Sequence, residues 1–338
     1  MMFKFGKRVQ ESVGLDIGSY SVKVVSLKRE NEVNVLTGYN IKQIPVGAKT
    51  SDIEKAVKDA LEEIDLHPAD VNLSVSGPNV IVRFIDLPKM NKEQLGSALS
   101  FEAEKYIPFN INEVIMDSLI LGEADEPGQM RVLLSAAKRD LVESRVNFLD
   151  KLGIVVNVMD IDSFALFNAF TASNPVEDKG NAFFDFGHSE STVLVSIGAR
   201  PCFMRQIQIG GSDIAKAIAK DIGVPIEKAE ELKLHPDPVS LPKVQQAGFT
   251  ILEEILKEVQ LSFGYFENKF NTAVSNLYCS GGMVFQEGVM EYFTTKTELK
   301  VETWNPIKGI EVAETLSRED IEKIGPQLAV SIGLALRG

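Results

Sequence analysis

Two apolar, β-branched runs open the readable part of the chain. They are Ser12-Val13-Gly14-Leu15-Asp16-Ile17-Gly18-Ser19 and Ser21-Val22-Lys23-Val24-Val25-Ser26-Leu27. Together they predict a strand, a tight glycine turn and a second strand, and residues 33–44 continue the meander. From 51 to 64, Ile53, Val57, Leu61 and Ile64 recur at spacings of three and four, the mark of an amphipathic helix. Strands follow at 71–76 and 80–86, split by Gly77-Pro78-Asn79. A helix over 92–105 must stop before Pro108. Strands at 113–121 and 130–136, a helix over 139–152, a strand at 154–159 and a helix over 163–171 complete the first half. The polar stretch 172–180, with Pro175 and Gly180, reads as a domain boundary.

The second half restarts the pattern. Ala182-Phe183-Phe184-Asp185-Phe186-Gly187 leads into Thr192-Val193-Leu194-Val195, and a shift of 169 positions puts Asp16 on Asp185 and Gly18 on Gly187. A period of half the chain suggests two related halves and not a solenoid. Ile255, Val259, Phe263, Phe266 and Phe270 line one face of a later helix and read as core. Residues 327–338 read as a packed helix without a basic face, which disfavours direct membrane insertion.

Composition narrows the classes. At ~150 residues per domain, 338 residues suggest two domains. Acidic residues outnumber basic ones 48 to 35, and the net charge of −13 repels phosphate backbones, so nucleic acid is not an expected partner. Only Cys202 and Cys279 are present, which excludes a disulfide framework or a structural zinc site and fits a reducing compartment. No apolar run reaches the ~18 residues of a membrane span, and no signal peptide follows the first residues. The expectation is a cytoplasmic protein, peripheral at a membrane only through partners.

Candidate chemistry sits at glycines. In each half an aspartate stands two residues before a glycine at a strand end. A turn without a Cβ lets backbone N–H groups approach a phosphate, and a strand-end carboxylate can hold Mg²⁺ directly or through water. The alternative is that Asp16 and Asp185 only cap turns. Gly210-Gly211 opens a helical pattern, where first-turn N–H groups are free to bind an anion. Gly281-Gly282 ends another apolar strand and offers a flat surface to a planar base. His67 and His235 precede prolines in turn-like segments and read as surface residues.

The order strand-Asp-x-Gly, strand-Asp-x-Gly, Gly-Gly-helix, strand-Ser-Gly-Gly resembles the actin, Hsp70 and sugar-kinase superfamily. Within it the chain is similar to the PilM family, actin-like proteins of type IV pilus assembly related to the cell-division protein FtsA. The residues that carry this are Gly14-Leu15-Asp16-Ile17-Gly18-Ser19 with Ser21-Val22-Lys23, and Leu87-Pro88-Lys89-Met90. They continue with Glu102-Ala103-Glu104-Lys105-Tyr106-Ile107-Pro108-Phe109, Met159-Asp160-Ile161-Asp162-Ser163-Phe164-Ala165-Leu166 and Ala229-Glu230-Glu231-Leu232-Lys233. The likeness covers residue 12 to the end.

The resemblance implies an α/β, actin-like ATPase fold: two duplicated lobes of β-sheet flanked by helices, with an FtsA-type inserted subdomain in the first lobe. The first lobe would take 12–45, 154–175 and 326–338, and the insertion 46–153. The second lobe would take 180–225 and 275–325, with its own subdomain at 226–274. ATP and Mg²⁺ are the implied cofactors. Gly18 and Ser19 match one phosphate loop and Gly187 and His188 the other, with Asp16 and Asp185 on the Mg²⁺ side. Lys23 matches a phosphate-contacting lysine, or is a strand-edge charge; a spacing of seven along one strand would put it on the face opposite Asp16, so it needs a twisted hairpin to reach the phosphate. Glu230 and Lys233, at i and i+3, match ribose and adenine contacts, or form a solvated ion pair. Gly210, Gly211, Gly281 and Gly282 match nucleotide-facing glycines. Asp162 falls where relatives place the residue that orients attacking water, and it equally suits a helix N-cap.

The implied function is an ATP-binding assembly protein, with slow or no turnover, that holds the cytoplasmic N-terminal tail of PilN and couples nucleotide state to the inner-membrane platform. Other platform proteins and the assembly ATPases are further implied partners, and homo-oligomerisation stays open. A small-molecule, sugar-type kinase of the same superfamily is the alternative.

Overall fold

The computed structural model describes residues 11–66, 70–173 and 178–337. His67 and positions 174–177 of the expected boundary lie outside them. The chain begins with β1 (Glu11–Ile17), β2 (Ser21–Glu30) and β3 (Val33–Gln43), then α1 (Thr50–Glu62) and β4 (Asp70–Val75). Next come β5 (Val80–Pro88), α2 (Lys92–Glu102), β6 (Val114–Glu123), β7 (Gln129–Lys138), α3 (Arg139–Asp150), β8 (Val155–Ile161) and α4 (Asp162–Ser173). The second half runs β9 (Gly180–Phe186), β10 (Ser191–Ile197), β11 (Arg200–Ile207), α5 (Gly211–Ile222), α6 (Ile226–Leu234), α7 (Leu241–Phe270) and β12 (Val274–Gly281). It ends with α8 (Val289–Lys296), β13 (Lys300–Thr303), β14 (Glu311–Val312), α9 (Arg318–Ile324) and α10 (Ala329–Ala335).

Two sheets share one plan. The first has the order β14-β3-β2-β1-β4-β8 and the second β11-β10-β9-β12-β13. Leaving out the two-residue β14, each is an antiparallel three-stranded meander whose first strand takes a parallel neighbour, which takes another. The register repeats as well, with Asp16 opposite Lys23 and Asp185 opposite Thr192.

Both sheets are buried on both faces, so their strands read as continuous apolar runs. On β9, Ala182, Phe184 and Phe186 pack under α5 and α7, while Phe183 points the other way. On β2, Val22 and Val24 pack with Val57 and Leu61 of α1, and Val25 and Leu27 with α4 and α10. Residues of α4 and α10 thus fill the space between the sheets together with Phe183 and Leu194. Ile255, Val259, Phe263 and Phe266 of α7 are buried as expected.

Two expected boundaries shift. β4 pairs with β1 and β8, and α1 packs on the same sheet, so both belong to the first sheet's layer and not to an insertion over 46–153. The separate unit is the three-stranded sheet β5-β7-β6 with α2, within 80–138, and it has its own core around Leu95, Leu99 and Val132. Toward the end, Trp304, Ile307, Ile310 and Ile321 pack with Val25, Leu27 and Leu36, and β14 pairs with β3. The chain therefore returns to the first sheet by Glu311, ahead of position 326.

Candidate functional site

The β1–β2 and β9–β10 turns face each other across a cavity of about 470 Å³. Its wall includes Asp16, Gly18, Ser19, Lys23, Asp162, Asp185, Gly187, His188, Lys233, Gly281 and Gly282. Glu230, Gly210 and Gly211 stand behind that wall. A larger groove, about 770 Å³, runs along α7 and α8, but its charged residues Glu253, Lys257 and Lys296 are all exposed.

The first turn is closed by the Gly18 N–H donating to the Ser21 carbonyl at 3.1 Å. Lys23 Nζ donates to Asp16 Oδ2 at 2.9 Å. The parity argument that put them on opposite faces holds only along one continuous strand. Across a hairpin, directly opposed residues share a face, and register makes these two partners. Burial disfavours the Lys23 ammonium, yet Asp16, with Asp185 and Asp162 behind it, outweighs that and holds the lysine above its ordinary value.

Asp185 has no such cation opposite it. Burial pushes its carboxyl up, only partly offset by the Ser280 hydroxyl donating at 2.8 Å and by the more distant Lys23. Asp162 is pushed up to about 7 by burial and then by the charge of Asp16, against hydrogen bonds from Ser74 and Ser76. Asp162 is itself the first residue of α4, and its carboxylate is engaged by β4 and the residue following it, not by a capping bond. Beside it, Ser163 carries a buried hydroxyl without a hydrogen-bond partner.

Glu230 and Lys233 are 6% and 4% exposed, which removes the solvated-pair reading. Lys233 Nζ donates to Glu230 Oε2 at 2.6 Å and to the Gly211 carbonyl at 3.1 Å. Burial lowers the Lys233 ammonium, partly offset by Glu230. Burial and the Lys233 charge likewise hold the His188 imidazole below its ordinary value.

The Gly210-Gly211 reading needs correction. The N–H groups of Gly211 and Ser212 donate to the Gly187 and His188 carbonyls, at 3.0 and 2.7 Å, and the Gly210 N–H donates to Asp213 Oδ2 at 3.0 Å. Those donors are spent on anchoring the second turn to α5 and are not free for an anion. Glycine is required because a Cβ at Gly210 would lie 2.6 Å from the His188 carbonyl oxygen. Gly281 has φ +88°, and a Cβ there would strike the Phe186 carbonyl, so the flat turn beside the cavity is open only to glycine. His235 is exposed, as expected. Tyr20, Thr192, Arg145, Glu190 and Gln327 also line the cavity. Only topology brings Arg145 and Gln327 there, whereas Tyr20 and Thr192 were readable as neighbours of the turns.

Among the described residues no group of three or more His, Cys, Asp or Glu side chains is set to hold a metal ion directly. The oxygen donors Asp16, Asp162 and Asp185 suit a hard cation that keeps its water.

Two like-ordered sheets, each bringing an Asp-x-Gly turn to one intervening cleft, define an actin-like protein. The structure of MreB 5 of Spiroplasma citri bound to AMPPNP shares this fold, with a TM-score of 0.50 at 12% identity, covering 98% of this chain and 96% of that one. The chain belongs to the family of type IV pilus assembly protein PilM, whose model matches residues 14–338. A PilM–PilN type IV pilus biogenesis complex is similar at TM-score 0.86 and 26% identity, covering 96% of this chain and 98% of that one. Cell division protein FtsA of Streptococcus pneumoniae serotype 2 (strain D39) is 24% identical over 278 residues, 73% of this chain. The chain spans 60% of the length of that curated relative. No helix among the described residues is long and apolar enough to cross a membrane.

Proposed function

We propose that the chain is a nucleotide-responsive assembly protein of the type IV pilus, which binds ATP with Mg²⁺ in the inter-sheet cleft and holds the cytoplasmic tail of a PilN protein at the inner membrane. The observation that carries the nucleotide reading is the pair of Asp-x-Gly hairpins with equal register on one cavity. In this reading the turn N–H groups of Ser19, Gly187 and His188 meet the phosphates, Gly18 lets the backbone approach them without a Cβ, and Lys23 supplies positive charge. Gly281 and Gly282 flank the base, and the buried Glu230–Lys233 pair supports the nucleoside end. Gly210 and Gly211 shape the second turn from behind. Asp16, Asp185 and Asp162 would hold Mg²⁺ through its water, and the ion would offset phosphate charge.

Asp162 also keeps the position from which a water can be oriented, with a reach suited to slow turnover or none. The separate three-stranded sheet is the inserted subdomain of this reading. The partner reading is supported by the likeness to a PilM–PilN complex. Binding that closes the cleft would alter how the sheets pack and so the affinity for the tail.

Calorimetric titration with ATP and Mg²⁺, repeated on Asp16→Ala, tests the site, and anisotropy of a labelled PilN tail peptide with and without ATP tests the coupling. Saturable binding lost in the variant is expected, with a tail affinity that differs between the two nucleotide conditions. Absence of binding to the unaltered protein would leave an actin-like scaffold without its ligand.

A further inference from the structure

The two turns that line the cleft also touch each other. Tyr20, on the β1–β2 turn, and His188, on the β9–β10 turn, lie with ring centroids 4.9 Å apart at an interplanar angle of 36°. Both are half-buried and both line the cavity. The contact is held from the second half on two sides. Lys233 Nζ lies 5.7 Å from the centre of the Tyr20 ring, and His188 Nε2 lies 3.7 Å from Glu230 Oε1. The His188 carbonyl also accepts the Ser212 N–H at 2.7 Å, which fixes the second turn to α5. Tyr20 is anchored in its own half: its hydroxyl accepts from Gln43 Nε2 at 3.2 Å, its carbonyl accepts the Ile44 N–H at 2.8 Å, and its turn is closed by the Gly18-to-Ser21 bond and the Lys23–Asp16 pair.

We propose that Tyr20 and His188 form a latch between the two turns, which must part for a nucleotide to enter or leave the cleft. The inference rests on the nucleotide reading above and adds a control on exchange at that site. Each ring is anchored to its own half, so the latch opens when the two turns separate. An aromatic pair of this geometry slows opening by about two- to tenfold, given its usual strength beyond area burial.

Stopped-flow measurement with a fluorescent ATP analogue and Mg²⁺ tests the latch. Tyr20→Ala and His188→Ala should each raise the association rate constant about two- to tenfold, and the double variant no further, because one contact is lost in all three. Tyr20→Phe keeps the ring, loses only the Gln43 hydrogen bond within its own half, and should exchange near the unaltered rate. Loss of an ordinary ligand contact would raise the dissociation rate alone, and that outcome overturns the latch. So does a double variant whose acceleration is the product of the single ones.

A ligand-free measurement separates this from failure of the nucleotide reading. In hydrogen–deuterium exchange without nucleotide, Tyr20→Ala should speed exchange in the β9–β10 turn as well as in its own, and His188→Ala should do the converse. Acceleration confined to the substituted turn would reject the latch even where ATP binds, and acceleration in both would support it even where ATP does not.

Discussion

In the β1–β2 hairpin Asp16 stands opposite Lys23, and in β9–β10 the equivalent Asp185 stands opposite Thr192. The backbones, sheet orders and glycine turns correspond, so duplication supplied one geometry twice. The charges do not correspond. Asp16 has a cation 2.9 Å away within its own hairpin, whereas Asp185 relies on a hydroxyl from β12 and is held above its ordinary value by burial. A site built from two copies has one fixed positive group on one side and a carboxylate in need of a cation on the other. That asymmetry gives an anionic ligand and its metal ion different places to sit.

The largest effect should come from removing Lys23, among the described residues the one lysine or arginine of the two hairpins that lines the cleft. Lys23→Met leaves Asp16, Asp162 and Asp185 facing one another with no cation between them, and breaking a buried pair in this way typically costs about 3 kcal/mol. Chemical denaturation should register that loss as a lower midpoint. Thr192→Met, at the equivalent position of the second copy, should cost about 1 kcal/mol or less, because no charge is left unpaired there. Equal losses in the two variants would mean that the asymmetry has no energetic weight.

The two turn glycines extend the same comparison. A Cβ at Gly18 would lie 3.1 Å from the Ser21 carbonyl oxygen, which a small shift accommodates. A Cβ at Gly187 would fall on the Glu190 carbonyl, while the Gly187 and His188 carbonyls are held by α5 and cannot retreat. Gly187→Ala is therefore expected to lose about 2 kcal/mol and Gly18→Ala under about 1 kcal/mol, read by thermal unfolding. A reversed order would show the first turn to be the stiffer one.

Much of this was legible before the structure. The repeated Asp-x-Gly at strand ends gave the duplication and the facing turns, because both depend on local patterns. β11 was missed: Pro201 interrupts it, and it lies at a sheet edge where proline is tolerated. β13 and β14, of four and two residues, are too short to carry a period. The misjudged features are those set by long-range partners. The donors of Gly211 and Ser212 depend on the turn that α5 meets, whereas the hairpin that Lys23 needs was expected and only its register, with Asp16 as direct partner, was not legible. The i, i+3 spacing of Glu230 and Lys233 gave their pairing but held no information on burial. Tyr20 touches His188 only because the two halves fold face to face.

The third carboxylate, Asp162, belongs to neither hairpin and senses both. Its carboxyl stands near pH 7, raised first by burial and next by Asp16, from an ordinary value of 3.8. A raised value means that the folded protein keeps a proton the unfolded chain releases. Its contribution to stability is therefore complete below about pH 4 and is lost as pH rises through about 7, by up to about 4 kcal/mol. A bound cation favours the ionised carboxylate, so ligand affinity runs the other way. The ionised fraction grows about tenfold between pH 6 and pH 8, and the apparent affinity for ATP with Mg²⁺ should rise by up to that factor. Asp162→Asn cannot ionise and should flatten the rise, leaving only the slope that ATP's own titration contributes. Calorimetry at the two pH values, on both proteins and in buffers of different ionisation enthalpy, reads the affinity and the proton released together. An unaltered protein whose pH slope equals that of the variant would place the titrating group outside the cleft. A slope lost in Asp162→Asn would make this residue the point where the charge of the first hairpin is felt on the helix that lies between the two sheets.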